Sequence, residues 1–318
     1  MAHSDGTPAS SIFTSFLAPD LDRCAFISVW LRARQIPHTI VELAGKKHII
    51  VTFASDSYDP RFRMKTLVAH YDRAEGTPGA NDNSAACFQL MLLAERLTAP
   101  RNASPRAKSY GTHNVRIFFT DGEEAAGTEG ITGQGAFALG SGLRKLKMTE
   151  DDVYVFDACG RGDTLILSTA GLKNNGPMGE RLSLLHGRSA AIARAVSGEN
   201  RMSLHTPYSD NAGFLASGIA SQVFTVLPRA EAQVLALALS REIALEREIK
   251  GSEKKTLESS LIQNRYSPDS AEILDSAIPE TWKLMHTAKD SAETLTARAF
   301  ILMEKLLDEI ARQNSAVT

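Results

Sequence analysis

The chain has 318 residues, 43% of them hydrophobic and 23% charged, with a formal net charge of -2 and a pI of about 6.5. That is ordinary globular composition with ample material for a core, and it lacks the basic stripe a nucleic-acid surface requires. Cys24, Cys87 and Cys159 are odd in number and widely spaced, which argues against a disulfide framework or a cysteine-type zinc site.

The N-terminal stretch MAHSDGTPASS is polar and shows no signal peptide. Residues 10–36 carry apolar side chains at helical spacing, with Pro19 dividing them into two helices. Residues 38–43 and 47–53 read as strands joined by the turn Ala44-Gly45-Lys46. KTLVAH (65–70) is a short apolar run with a polar end, as a buried strand would be. A polar loop follows, and Asn83 or Ser84 caps a helix running to about Leu97.

The alternation continues through strands at 115–120, 153–158, 164–169 and 221–227, with helices near 134–141 and 178–197. From Arg229 to about Lys255 the pattern is helical and charged, whereas 256–280 carries no clear periodicity. The final 25 or so residues form one amphipathic helix with Leu295, Ala299, Phe300, Leu302, Met303, Leu306, Leu307 and Ile310 as its apolar residues. No apolar run reaches the roughly 18 residues needed to span a bilayer. Strands alternating with helices predict an α/β fold, a three-layer α/β/α sandwich with a mostly parallel mixed central sheet. We expect one catalytic domain over 1–318, with a helical insertion at about 229–280, in a reducing, cytoplasmic setting.

In open sheets of this kind ligands bind beyond the carboxyl ends of strands, and there the polar residues collect. His70 ends one strand, with Asp72 two residues on. Asp82 closes the next loop within Gly79-Ala80-Asn81-Asp82-Asn83, Glu123 and Glu124 follow 115–120 through Asp121-Gly122, and Asp157 follows VYVF. His286 precedes the last helix. Alone, each has an ordinary explanation: a strand-end histidine in the core, a solvated Glu pair, an Asx turn. Together, two imidazoles and three carboxylates are the donor set a pair of borderline divalent ions requires. One carboxylate can bridge, and a further one must act as general base. Adjacent glutamates can divide such tasks, because neighbouring side chains point in different directions.

His70-Tyr71-Asp72, Gly79-Ala80-Asn81-Asp82-Asn83, Asp121-Gly122-Glu123-Glu124, Asp157 and His286-Thr287 with Asp290 resemble, in that order, the motifs of the M28 metallopeptidases. The resemblance implies two divalent metal ions, Zn2+ by its ligand chemistry, although the same donors accept cobalt or manganese. It implies His70 and Asp157 on one ion, Glu124 and His286 on the other, and Asp82 between them. Glu123 would be the catalytic base, and Asp72 would orient His70. His205, in Leu204-His205-Thr206-Pro207, also has the look of a ligand, but the family's His-Thr-x-x-Asp context favours His286. Ser209 and Asp210 are expected near the metals or the substrate, His205 lines the cleft or is structural, and Trp282 is either core or a wall of the site beside His286.

The activity implied is an aminopeptidase acting on a peptide or amino-acid-derivative substrate, with a homo-oligomer an open possibility and neither nucleic acid nor membrane a partner. The alternatives are a glutaminyl-cyclase-type acyltransferase and a non-catalytic binding domain of the same fold. Retention of all five ligand-type residues and Glu123 argues against the last. No Gly-x-Ser-x-Gly elbow or phosphate loop offers a rival chemistry.

Overall fold

The computed structural model describes residues 10–99, 110–124, 127–241 and 276–317. Eight strands form one sheet: β1 (His38–Leu43), β2 (Lys46–Val51), β3 (Lys65–His70), β4 (Val115–Thr120), β5 (Asp152–Phe156), β6 (Thr164–Ser168), β7 (Arg201–Leu204) and β8 (Ser221–Leu227). Their order is β1-β2-β4-β3-β5-β8-β6-β7. The central pairs β4–β3, β3–β5 and β5–β8 are parallel, as is β6–β7, while β1–β2, β2–β4 and β6–β8 are antiparallel. The sheet is thus mixed with a parallel centre, as the alternation predicts.

Successive side chains of a strand point to opposite faces, and the central strands are apolar on both. Leu67, Ala69, Ile117, Phe119, Tyr154, Phe156, Phe224 and Val226 belong to one buried cluster, and Val68, Phe118, Val153, Val155 and Val223 to another. Each face therefore requires a helical layer. The first is covered by α1 (Ser11–Phe16), α2 (Arg23–Ala33), α3 (Ala85–Thr98), α5 (Pro177–Ser197) and α9 (Ala297–Arg312). The second is covered by α4 (Gly135–Lys145) and α6 (Asp210–Ala216). Further along that sheet α7 (Arg229–Arg241) and α8 (Glu280–Leu284) enclose a smaller cluster with Ile166, Leu204 and Leu227. Burying each large apolar side chain contributes about 1.5–3 kcal/mol.

Local signals explain the ends of these helices. Asp22 caps α2 by accepting the Ala25 N–H at 2.8 Å, and Thr296 caps α9. α9 buries Ala299, Phe300, Met303, Leu306, Leu307 and Ile310 of the face read from the sequence, whereas Leu302 is half-buried and Leu295 lies just before the helix. At its other end the buried Lys65 ammonium donates to the carbonyls of Ala311 and Gln313, at 3.0 and 2.6 Å.

β7 and α6 are elements the periodicity did not reveal. Of the insertion expected at 229–280, α7 ends at Arg241, and 242–275 lie outside the described residues. No helix among the described residues is long and apolar enough to cross a membrane.

Candidate metal centre

The parallel centre of the sheet brings the carboxyl ends of its strands to one edge. His70 lies opposite Thr120 in the β3–β4 register, so the loop carrying Glu123 and Glu124 starts beside the imidazole. Asp157 follows β5 directly and donates its N–H to the Phe224 carbonyl on β8 at 3.1 Å. Gly122 turns the chain after β4 with a φ of 74°, a conformation that glycine reaches without strain. Asp82 lies in the segment Ala80–Ser84 that leads into α3, with its own backbone outside the helical region.

His286 reaches the same edge from the far end of the chain. α8, just before it, is tied down by Glu231 of α7, whose carboxylate accepts the Thr281 N–H at 2.9 Å. Arg161, four residues beyond Asp157, donates to the other Glu231 oxygen at 2.6 Å and also reaches the Thr281 hydroxyl.

Asp82 presents one carboxylate oxygen to each imidazole. Its Oδ1 lies 3.3 Å from His70 Nε2, and its Oδ2 lies 3.0 Å from His286 Nε2. His70 Nε2 also lies 3.7 Å from Asp157 Oδ2, and His286 Nε2 lies 3.2 Å from Glu124 Oε1. Donor atoms of His70, Asp82 and Glu124 all fall within 4.8 Å of one another. The structure therefore brings together the residues singled out from three strand ends, the turn before α3 and the loop after α8.

A supporting layer fixes this cluster. Asp72 Oδ1 lies 3.5 Å from His70 Nδ1, and the same carboxylate accepts the backbone N–H groups of Glu123 and Glu124 at 3.2 and 2.8 Å. Asp290 accepts those of Asn81 and Asp82 at 2.8 and 3.0 Å. The Gln134 side-chain amide donates to Glu123 Oε1 at 3.0 Å. Gln134 is absent from the sequence reading; its only local signal is its place between two glycines at the start of α4.

The donor set suits cations. His70 Nε2, Asp82 Oδ2, Glu124 Oε1 and Asp157 Oδ1 are buried, and none meets a hydrogen-bond partner among the described residues. Buried polar atoms are rarely left so, and here they converge on one centre. Burial disfavours a charged His70, but Asp157, Asp72 and Asp82 outweigh it and hold the imidazole well above its ordinary pKa. The adjacent Asp82 and Glu124 carboxylates lift His286 to about 11. Burial and the neighbouring Asp82 raise Glu124, whereas the two imidazoles overcome burial to hold Asp82 far below the carboxylate range. So much converging negative charge demands positive charge, which metal ions supply without protonating the histidines.

The remaining expected residues are placed differently. Asp210 is fully buried, accepts the Thr120 hydroxyl at the end of β4 at 2.6 Å, and lies within electrostatic reach of His70, Asp72 and Asp157. Burial pushes its carboxyl up to about 7. Ser209 is buried beside it. His205 pairs with the Thr169 hydroxyl at 3.1 Å. Thr169 lines a cavity of about 240 Å³ together with Ile131, Tyr208 and Leu215. Trp282 packs with Ile166, Leu204, Leu227 and Leu235 and is only 6% exposed, four residues before His286. Its position on α8 turns the indole towards the sheet, because a large apolar ring gains most by burial there.

Comparison with known proteins is consistent with this architecture. The family model for peptidase family M28 matches residues 49–310. A search of curated proteins finds no match. Among solved structures, the LapA aminopeptidase of Legionella pneumophila is similar, at 13% identity and a TM-score of 0.59, covering 94% of this chain and 69% of that one. A Zn-dependent exopeptidase from Parabacteroides distasonis aligns at 14% identity and a TM-score of 0.59, over 95% of this chain and 94% of that one. A glutaminyl cyclase from Bacteroides thetaiotaomicron aligns at 13% identity and a TM-score of 0.58, again over 95% and 94%. At such identities the structural likeness establishes the zinc-exopeptidase fold alone. The family match spans most of the sequence, and the chain is a metallopeptidase that belongs to peptidase family M28.

Proposed function

We propose that the chain is an aminopeptidase that uses two divalent ions, zinc by preference, to hydrolyse the N-terminal bond of a peptide. The observation that carries this reading is the division of Asp82, one oxygen 3.3 Å from His70 and the other 3.0 Å from His286. A carboxylate disposed in this way suits a bridge, with Asp157 completing one site and Glu124 the other. The zinc dependence stated for the Parabacteroides exopeptidase supports the choice of ion.

Bound there, two such ions polarise the scissile carbonyl and bring the attacking water's pKa towards neutrality. The chain's own residues do the rest. Glu123, 8% exposed at the rim of the cluster, takes the proton from the attacking water and passes it to the leaving amine. Asp72 holds the His70 ring and the backbone of Glu123 and Glu124 in one frame. The surrounding carboxylates draw in the substrate's free α-ammonium group, which favours cleavage at the N-terminus over cleavage within a chain.

The test is to incubate metal-loaded protein with a broad peptide panel that includes peptides beginning with Gln. Release of free N-terminal residues supports the proposal. Release of ammonia with retention of the residue as a ring would make the chain a glutaminyl-cyclase-type acyltransferase. Neither product would leave a binding role.

A further inference from the structure

Gln134 stands immediately before α4 and is 3% exposed. Its amide nitrogen donates to Glu123 Oε1 at 3.0 Å. A carboxylate only accepts, so the amide must turn its NH2 towards Glu123. Its own oxygen then remains buried without a hydrogen-bond partner among the described residues. An amide held with one end unsatisfied implies that the contact at its other end fixes it.

The backbone enforces this contact. The Gln134 N–H donates to the Ile131 carbonyl at 3.1 Å, and its carbonyl accepts the Phe137 N–H at 3.1 Å. The next residue, Gly135, donates to the Gly122 carbonyl at 3.4 Å. A Cβ on Gly135 would lie 1.9 Å from the Asp121 carbonyl oxygen and 2.5 Å from His48 Cε1. Only glycine admits this approach, which sets the start of α4 directly against the loop carrying Glu123. Asp72 meanwhile holds the Glu123 backbone N–H at 3.2 Å. Glu123 is thus held at its main chain from one side and at its carboxylate from the other.

We propose that Gln134 is a positioning residue for the catalytic base. By donating to Oε1 of Glu123 it fixes the orientation of the carboxylate that receives the proton. This inference rests on the reading of Glu123 as base. The side-chain hydrogen bond of Gln134 goes to Glu123 and to none of the proposed metal ligands, so its effect is expected on the proton transfer.

The experiment compares Gln134→Leu with the isosteric Gln134→Glu, which serves should the leucine variant fail to fold. Steady-state kinetics, metal content and a crystal structure are measured for each. kcat should fall about 10- to 100-fold, with KM little changed and metal content unaltered. In a Glu123→Asp background the shorter carboxylate is out of the amide's reach, so Gln134→Leu should cause no further loss. In the variant structures the Glu123 carboxylate should leave its present orientation.

Three results overturn the inference: an unchanged kcat in protein whose wild type is active, a loss of the same size in the Glu123→Asp background, or a Glu123 carboxylate that stays in place without its donor. If the wild-type protein hydrolyses no peptide, the functional reading fails instead, and the variant structures still decide whether Gln134 holds Glu123.

Discussion

The Asp290 carboxylate accepts the backbone N–H of Asp82 at 3.0 Å, across 208 positions of sequence. The residue proposed to bridge two ions is therefore held by the segment that also carries His286. Its partner bond to the Asn81 N–H, at 2.8 Å, makes the grip two-pronged. Asp290→Ala would leave both buried donors unsatisfied, a cost of about 1–3 kcal/mol each. Metal affinity should fall about 10- to 100-fold, measured by competition with a chelating indicator. Unchanged affinity would mean that Asp82 needs no such support.

Removing Glu123 separates chemistry from binding. Glu123→Ala should retain its metal content, because the donor atoms of His70, Asp82, Glu124, Asp157 and His286 are untouched. Its kcat should drop about 10²- to 10⁴-fold, the usual loss for a general base. Activity equal to that of the wild type would show that another group takes the proton.

Metal loss should cost stability as well as activity. Ions that bind the folded state alone stabilise it by about 2.7 kcal/mol at a hundred times their dissociation constant. Thermal unfolding before and after exhaustive chelation should show a lower Tm in the stripped protein, restored by zinc. An unchanged Tm would argue that the cluster is not loaded.

His48 makes a contribution to acid stability that is independent of metal. It is buried in β2 and accepts the Asp121 N–H at 3.2 Å through Nδ1. Burial, opposed by Asp72, lowers its pKa from the ordinary 6.5 to about 4. The unfolded chain therefore binds a proton below pH 6.5 that the folded chain refuses until about pH 4. Since the unfolded state binds more protons across that window, stability falls as the pH drops through it, by on the order of 3 kcal/mol in full. Urea unfolding of chelated protein should show a shallower decline for His48→Gln between these limits. Identical slopes would refute the assignment.

Much of this was legible in the sequence because the central strands are apolar on both faces and end in polar residues. His70, Glu124 and Asp157 sit where the pattern changes from buried strand to loop, Asp82 sits where the next loop enters a helix, and the structure brings them to one edge. β7 was not legible: Arg201, Met202 and Ser203 are partly or largely exposed, so no alternation marks the strand. α6 spans seven residues, too few for a helical period to emerge. Trp282 carried two meanings, and the burial of α8 against the sheet decided between them. Gln134 was hidden for a different reason. Its role depends on the close approach of Gly135 to the β4 loop, a tertiary fact with no trace in residue spacing.

The central claim is that two cations share Asp82, and anomalous diffraction at the zinc edge from crystals grown with native metal tests it most directly. Two peaks about 3.5–4 Å apart are expected, one beside His70 and Asp157 and the other beside Glu124 and His286. A single peak, or none within reach of the Asp82 carboxylate, would contradict it.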